Sequence, residues 1–254
     1  MIEIRRLNMD NSWQLRWDGV SLLLDPWLIG SEIDGYSWFN EQWHVTPPVS
    51  IAETGPADVV IVSQPYSDHC HAETIRQLLP YGQLLAVKPA MKRLKNEIKE
   101  LKNIQEIPDA KQQWLSCGPL QIAKLSPDRW IDPIYHAVII RRGEDAVFYA
   151  PHGFVLTEEQ LAIMRTVHVR LLITTFTYFK LPAILGGVIN LGVDAVRKLA
   201  DQINPACIIN THDEQKTGKG IVMKIAQTKY ADIAQHSRQD GRIVHLNSYE
   251  WLKI

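Results

Sequence analysis

The stretch DVVIVSQPYSDHCH, residues 58–71, runs from an apolar segment straight into a loop that carries Asp68, His69 and His71 around Cys70. A continuous apolar run bounded by polar residues reads as a strand covered on both faces. The following HAETIRQLL, residues 71–79, reads as a short helix. The loop leaving the carboxyl end of such a strand is where open α/β folds place their chemistry. A carboxylate and imidazoles at this spacing suit a zinc-like ion, which takes nitrogen and oxygen ligands. The same residues also suit a helix N-cap, with Ser67 or Asp68 accepting backbone N–H bonds.

Working outward, three more strand-like runs end on polar residues. CIINTHDE (207–214) brings His212 to the start of a polar loop, VFYAPHGF (147–154) puts His152 in a Pro-Gly turn, and LLLDPWL (22–28) closes on Asp25. Singly, each has a plain structural reading: a loop residue, a turn residue, a carboxylate accepting nearby backbone N–H groups. The stretch LSPDRWIDP (125–133) offers only Asp128 and Asp132. Elsewhere WDGV marks a hairpin and the spacing from Thr157 to Gln160 marks a helix cap. PAMKRLKNEIKELKNI reads as one amphipathic helix with Leu94, Ile98 and Leu101 on its apolar face. Groups of strands alternate with strand–helix units, so two stacked sheets with helices on both outer faces satisfy the pattern.

The composition narrows the function classes. In 254 residues, 46% are hydrophobic and 22% charged, enough for a sizeable core, and residues 1–254 read as one domain. A formal net charge of −1 gives no global field for nucleic acid or an anionic membrane, and neither partner is expected. No apolar run approaches the roughly 20 residues needed to span a bilayer, and the N-terminus carries no apolar leader. Three cysteines, Cys70, Cys117 and Cys207, make no disulfide framework, so a reducing, cytoplasmic setting is expected.

The four polar strand ends, in this order, resemble those of the metallo-β-lactamase superfamily. Its pattern begins with an Asp ending an early strand, matched by Asp25. The signature Ser/Thr-His-x-His-x-Asp-His follows, and SQPYSDH aligns with it at Ser63, Asp68 and His69. FYAPHGF stands where a metal-bridging Asp belongs, and a late strand supplies His212. The resemblance implies a four-layer αββα sandwich, of mixed α+β and α/β character. The departures fall on one metal site. Gln64 and Tyr66 replace the first two signature histidines, and no His was found for the middle motif, which removes the first site. The second site retains Asp68, His69 and His212, with His152 or water as a fourth ligand and His71 as a further candidate.

The resemblance therefore implies one divalent metal, zinc by preference with iron or manganese as alternatives. The expected activity is hydrolysis of an ester, lactone, amide or phosphodiester bond in a small-molecule substrate. Asp68 serves as ligand or base and Tyr66 as proton donor or oxyanion partner. The competing reading is a catalytically inactive binding or scaffold protein on the same fold, using an aromatic loop at residues 26–44 that holds Trp27, Tyr36, Trp38, Phe39 and Trp43. Lys216 and Lys219, just after His212, either steer an anionic group or simply face solvent.

Overall fold

The structure, a computed structural model, describes residues 1–78, 80–128 and 136–254. Asp132 lies outside the described residues. The chain divides into two compact units. The first comprises Met1–Ile107, Glu214–Lys224 and Asn247–Ile254; the second comprises Pro108–Asp213 and Ile225–Leu246.

The first unit is built on a seven-stranded sheet in the order Leu252–Lys253, Ile2–Arg6, Trp13–Trp17, Val20–Leu24, Val59–Val62, Gln83–Ala86, Ile104–Glu106. Neighbours are antiparallel as far as Val20–Leu24 and parallel beyond it. The WDGV hairpin turns through Asp18 and Gly19 at φ 50° and 79°, the positive pair that a tight right-twisted hairpin requires. All of Val59–Val62 is buried, as its unbroken apolar run predicts. The amphipathic helix is shorter than its sequence pattern suggests, covering Lys88–Glu97. Buried Ile98 already leaves the helix at φ −116°, because the chain must turn back to add Ile104–Glu106 beside Gln83–Ala86. This order brings the ends of Val20–Leu24 and Val59–Val62, and the start of Trp13–Trp17, to one sheet edge. Residues 10–12, Asp25 and the loop 63–71 meet there.

The second unit has its own seven-stranded sheet, in the order Ile243–Val244, Cys207–Thr211, His168–Thr175, Asp145–Ala150, Ala137–Arg142, Leu120–Leu125, Leu115–Cys117. The first four strands run parallel and the rest antiparallel. The helix Glu158–Met164 is closed by the Thr157–Gln160 capping box. Its core joins Phe148, Phe154, Leu172, Phe176 and Leu199. Here the ends of Asp145–Ala150 and Cys207–Thr211 share an edge with the start of Ala137–Arg142.

Candidate metal centre

In the first unit the parallel register sets Asp25 beside Ser63, with the Asp25 amide donating to Ile61 O at 2.8 Å. Asp25 adopts φ 45°, a left-handed conformation that Asp tolerates better than most residues. Its buried carboxylate collects three donors. Ser63 N donates to Oδ1 at 2.6 Å, Ser63 Oγ donates to Oδ2, and His69 Nδ1 lies 2.6 Å from Oδ2. A carboxylate only accepts, so His69 carries its proton on Nδ1 and turns Nε2 outward, 3.9 Å from Asp68 Oδ2. An oriented imidazole of this kind is the usual support for a metal-ligating histidine. Burial pushes the His69 pKa down, but Asp68, Asp25 and Asp10 outweigh it and the net shift is upward.

The rest of the loop is held from its backbone. Tyr66 O accepts the amides of His69 and Cys70 at 3.1 and 2.6 Å, folding His69 back over the strand end. Arg93 Nη1 donates to Pro65 O at 2.7 Å, so this member of the basic helix anchors the loop. Asn11 Nδ2 donates to Asp68 O at 2.9 Å. Ser67 Oγ lies 2.5 Å from Glu32 Oε2 and 2.9 Å from Asp34 Oδ1. Burial and the neighbouring Asp34 and Asp68 raise the Glu32 pKa to about 8. Burial, with Asp34 and Asp68, pushes the Tyr66 phenol up to about 12, so it keeps its proton at neutral pH and is a donor rather than a ligand. Burial likewise raises the Cys70 thiol, whose side chain is a small packed group against Ala90.

His71 has a structural task. It is the N-cap of the helix Ala72–Gln77, accepting from Thr74 N through Nδ1 at 3.2 Å. Its Nε2 donates to Ser31 O at 3.2 Å. The capping reading of the loop is therefore realised, but by His71 rather than by Ser67 or Asp68. In the aromatic loop, Trp27 is fully buried with its ring tilted against His44, centroids 3.7 Å apart, whereas Tyr36 and Trp38 are exposed and stacked on each other at 5.8 Å.

Lys216 is not a solvent-facing lysine. Its Nζ lies 2.7 Å from Asp10 Oδ2 and 3.6 Å from Asp68 Oδ2, and 5.5 Å from the Trp27 ring centroid. Burial lowers its pKa, but Asp10, Asp68 and Glu32 override this and the net shift is upward. The sequence reading missed Asp10, which no motif in the chain marks.

In the second unit His152 and His212 lie at their strand ends with rings stacked, centroids 4.8 Å apart. His152 Nδ1 is 2.7 Å from Asn190 Oδ1, on the strand Val188–Leu191. The Asn190 oxygen thus holds His152 as the Asp25 carboxylate holds His69. His212 adopts φ 58°, a second strained strand end. Asp213, next in the chain, accepts from Thr177 Oγ1 at 3.0 Å and from Asn210 Nδ2. His136 directly precedes Ala137–Arg142, at the same sheet edge as His152.

The donors at the two strand-end clusters are those a divalent metal takes, imidazole nitrogen and carboxylate oxygen. Gln64 and Tyr66 hold the first-site positions with a neutral amide and a protonated phenol. His69 and His152 each meet an oxygen acceptor through Nδ1, in their own units, an orientation of the kind that supports metal-ligating imidazoles.

A family model described as beta-lactamase superfamily domain matches residues 8–212. No curated protein sequence matches the chain. Among solved structures it is similar to Igni18, a metallo hydrolase from the archaeon Ignicoccus hospitalis, at 12% identity and TM-score 0.68, with 100% of both chains covered. It is similar to an isothiocyanate hydrolase from Delia radicum gut bacteria at 14% identity and TM-score 0.70, covering 99% of this chain and 98% of the other. It also matches CmlA, a diiron β-hydroxylase from Streptomyces venezuelae, at 16% identity and TM-score 0.69, covering 100% of this chain and 54% of that one. With a family model matching most of its length, the chain belongs to the metallo-β-lactamase superfamily and has the αββα fold that its polar strand ends imply.

Proposed function

We propose that this protein is a metal-dependent hydrolase that cleaves an ester, lactone, amide or phosphodiester bond of a small molecule. It uses a single divalent ion, zinc by preference, with iron or manganese as alternatives. On the superfamily pattern, the proposed ligands are His69 of the first unit and His152 and His212 of the second. Such an ion supplies Lewis acidity toward the bond to be cleaved and toward water. Asp68 accepts the proton of the attacking water, and Tyr66, protonated at neutral pH, donates to the leaving group. The observation that carries the reading is the Asp25–His69 bond. A buried carboxylate that fixes the imidazole tautomer supports a metal ligand and has little use in an inert loop. No helix among the described residues is long and apolar enough to cross a membrane. The three cysteines are free and buried, which supports our inference of a cytoplasmic location.

The test is elemental analysis of the purified protein beside His69→Ala and His212→Ala variants, followed by a screen of esters, lactones and phosphodiesters. About one metal per chain, lost in both variants, together with turnover that disappears on chelation, is the expected result. A protein that takes up no metal after supplementation overturns the proposal and leaves ligand binding at the exposed Tyr36–Trp38 pair as the function to pursue.

A further inference from the structure

The most unusual group in the first unit is a lysine. Lys216 reaches between two carboxylates, Asp10 and Asp68, and its side chain is 15% exposed while that of Asp10 is 1% exposed. Carboxylates so far out of water need a cation beside them. In this superfamily the Asp of the signature motif finds that cation in a metal. In this chain the cation is part of the polypeptide.

The lysine is placed by a built segment rather than by chance of a long side chain. The strand Thr217–Lys219, directly after it, pairs antiparallel with Glu41–Trp43. Gly220 follows at φ 107°, where a Cβ would stand 2.5 Å from Phe39 O, so only glycine lets the backbones approach this closely. Ile221 N and Val222 N then bond to Trp38 O and Phe39 O at 3.2 and 3.0 Å. On the other side, Asn11 holds the Asp68 backbone and the Trp27 ring walls the ammonium. Donor, acceptors and wall are each fixed from separate parts of the unit.

We propose that the Lys216 ammonium takes the place of a second metal ion, pairing with Asp10 and Asp68 from within the chain and restricting the protein to one metal. This deepens the one-metal reading given above and rests on it. It also gives Asp68 a fixed partner, the Lys216 ammonium 3.6 Å from its Oδ2. A metal ion brought to either carboxylate meets a like charge already in contact.

The experiment compares the full-length wild-type protein with Lys216→Met and Lys216→Arg variants. Each is titrated with zinc and with manganese by calorimetry and measured for bound metal after gel filtration. Lys216→Met keeps the length of the side chain and removes its charge. The expected result is about one additional metal per chain in Lys216→Met, and wild-type stoichiometry in Lys216→Arg. The extra equivalent should vanish when Asp10→Asn is added. Equal stoichiometry in wild type and Lys216→Met overturns the proposal. If Lys216→Met does not fold, the wild-type ammonium is followed instead by 15N-lysine NMR, assigned with Lys216→Arg. Its signal should persist unshifted to metal saturation, and displacement of that signal by metal overturns the proposal equally. A wild type that binds no metal beside a Lys216→Met variant that binds one would sink the hydrolase reading while sustaining the role of Lys216.

Discussion

Asp25 Oδ2 holds His69 Nδ1 at 2.6 Å with both side chains wholly out of solvent, across 44 residues of chain. The same carboxylate takes the Ser63 amide, so one side chain both closes the strand end and sets the imidazole tautomer. Removing it strands several buried donors. Asp25→Ala should cost about 3–5 kcal/mol in urea unfolding. Asp25→Asn keeps the shape but loses the acceptor charge, and should weaken metal affinity by about 10–100-fold in a competition titration. Unchanged affinity in a folded Asp25→Asn protein would remove His69 from the ligand set.

His71 is expected to matter for the helix and not for the metal. His71→Ala should lower stability by about 1 kcal/mol, the usual value of a lost N-cap, and leave bound metal at the wild-type level. A loss of metal in this variant would make His71 a ligand after all and its capping bonds secondary.

Tyr66 remains a phenol at neutral pH because burial and two neighbouring carboxylates oppose its ionisation. Tyr66→Phe should therefore reduce kcat by about 100-fold or more, as expected for a lost proton donor, while metal content stays unchanged. Wild-type turnover in Tyr66→Phe would exclude it as the acid.

Glu32 gives a pH signature in metal-free protein. Its folded pKa of about 8 lies above the ordinary value of 4.5 through burial and the neighbouring Asp34 and Asp68. Below the ordinary value both folded and unfolded forms hold the proton and there is no penalty. As pH rises toward the folded pKa, only the unfolded form releases it, so stability falls, by up to about 1.4 kcal/mol per pH unit. Urea unfolding of chelator-treated protein between about pH 5 and 8 should show this decline, and Glu32→Gln should flatten it. Parallel slopes in the two proteins would show that other groups set the pH dependence.

What could be read from the chain alone is what is local in it. VVIV is apolar without alternation because both faces of that strand are covered, and the Asp18–Gly19 turn is written in two adjacent residues. The Thr157–Gln160 cap is likewise a matter of three-residue spacing. The strand-end positions of Asp25, His69, His152 and His212 follow from such local patterns, and with them the superfamily. The helix after residue 88 was overread because its apolar repeat continues past the point where the sheet calls the chain back.

Partnership was decided only in three dimensions. Nothing near Lys216 in sequence announces Asp10, 206 positions away, and without that contact a lysine in a polar loop reads as solvent-facing. His71 and His69 look equivalent in the sequence, two imidazoles on one loop. The fold gives one to Asp25 and the other to Thr74 and Ser31. Residue type and spacing thus determined which chemistry was on offer at each strand end. Which groups keep their charge, their tautomer and their partner depends on burial and on the sheet register that brings distant residues into contact, and those exist only once the chain has folded.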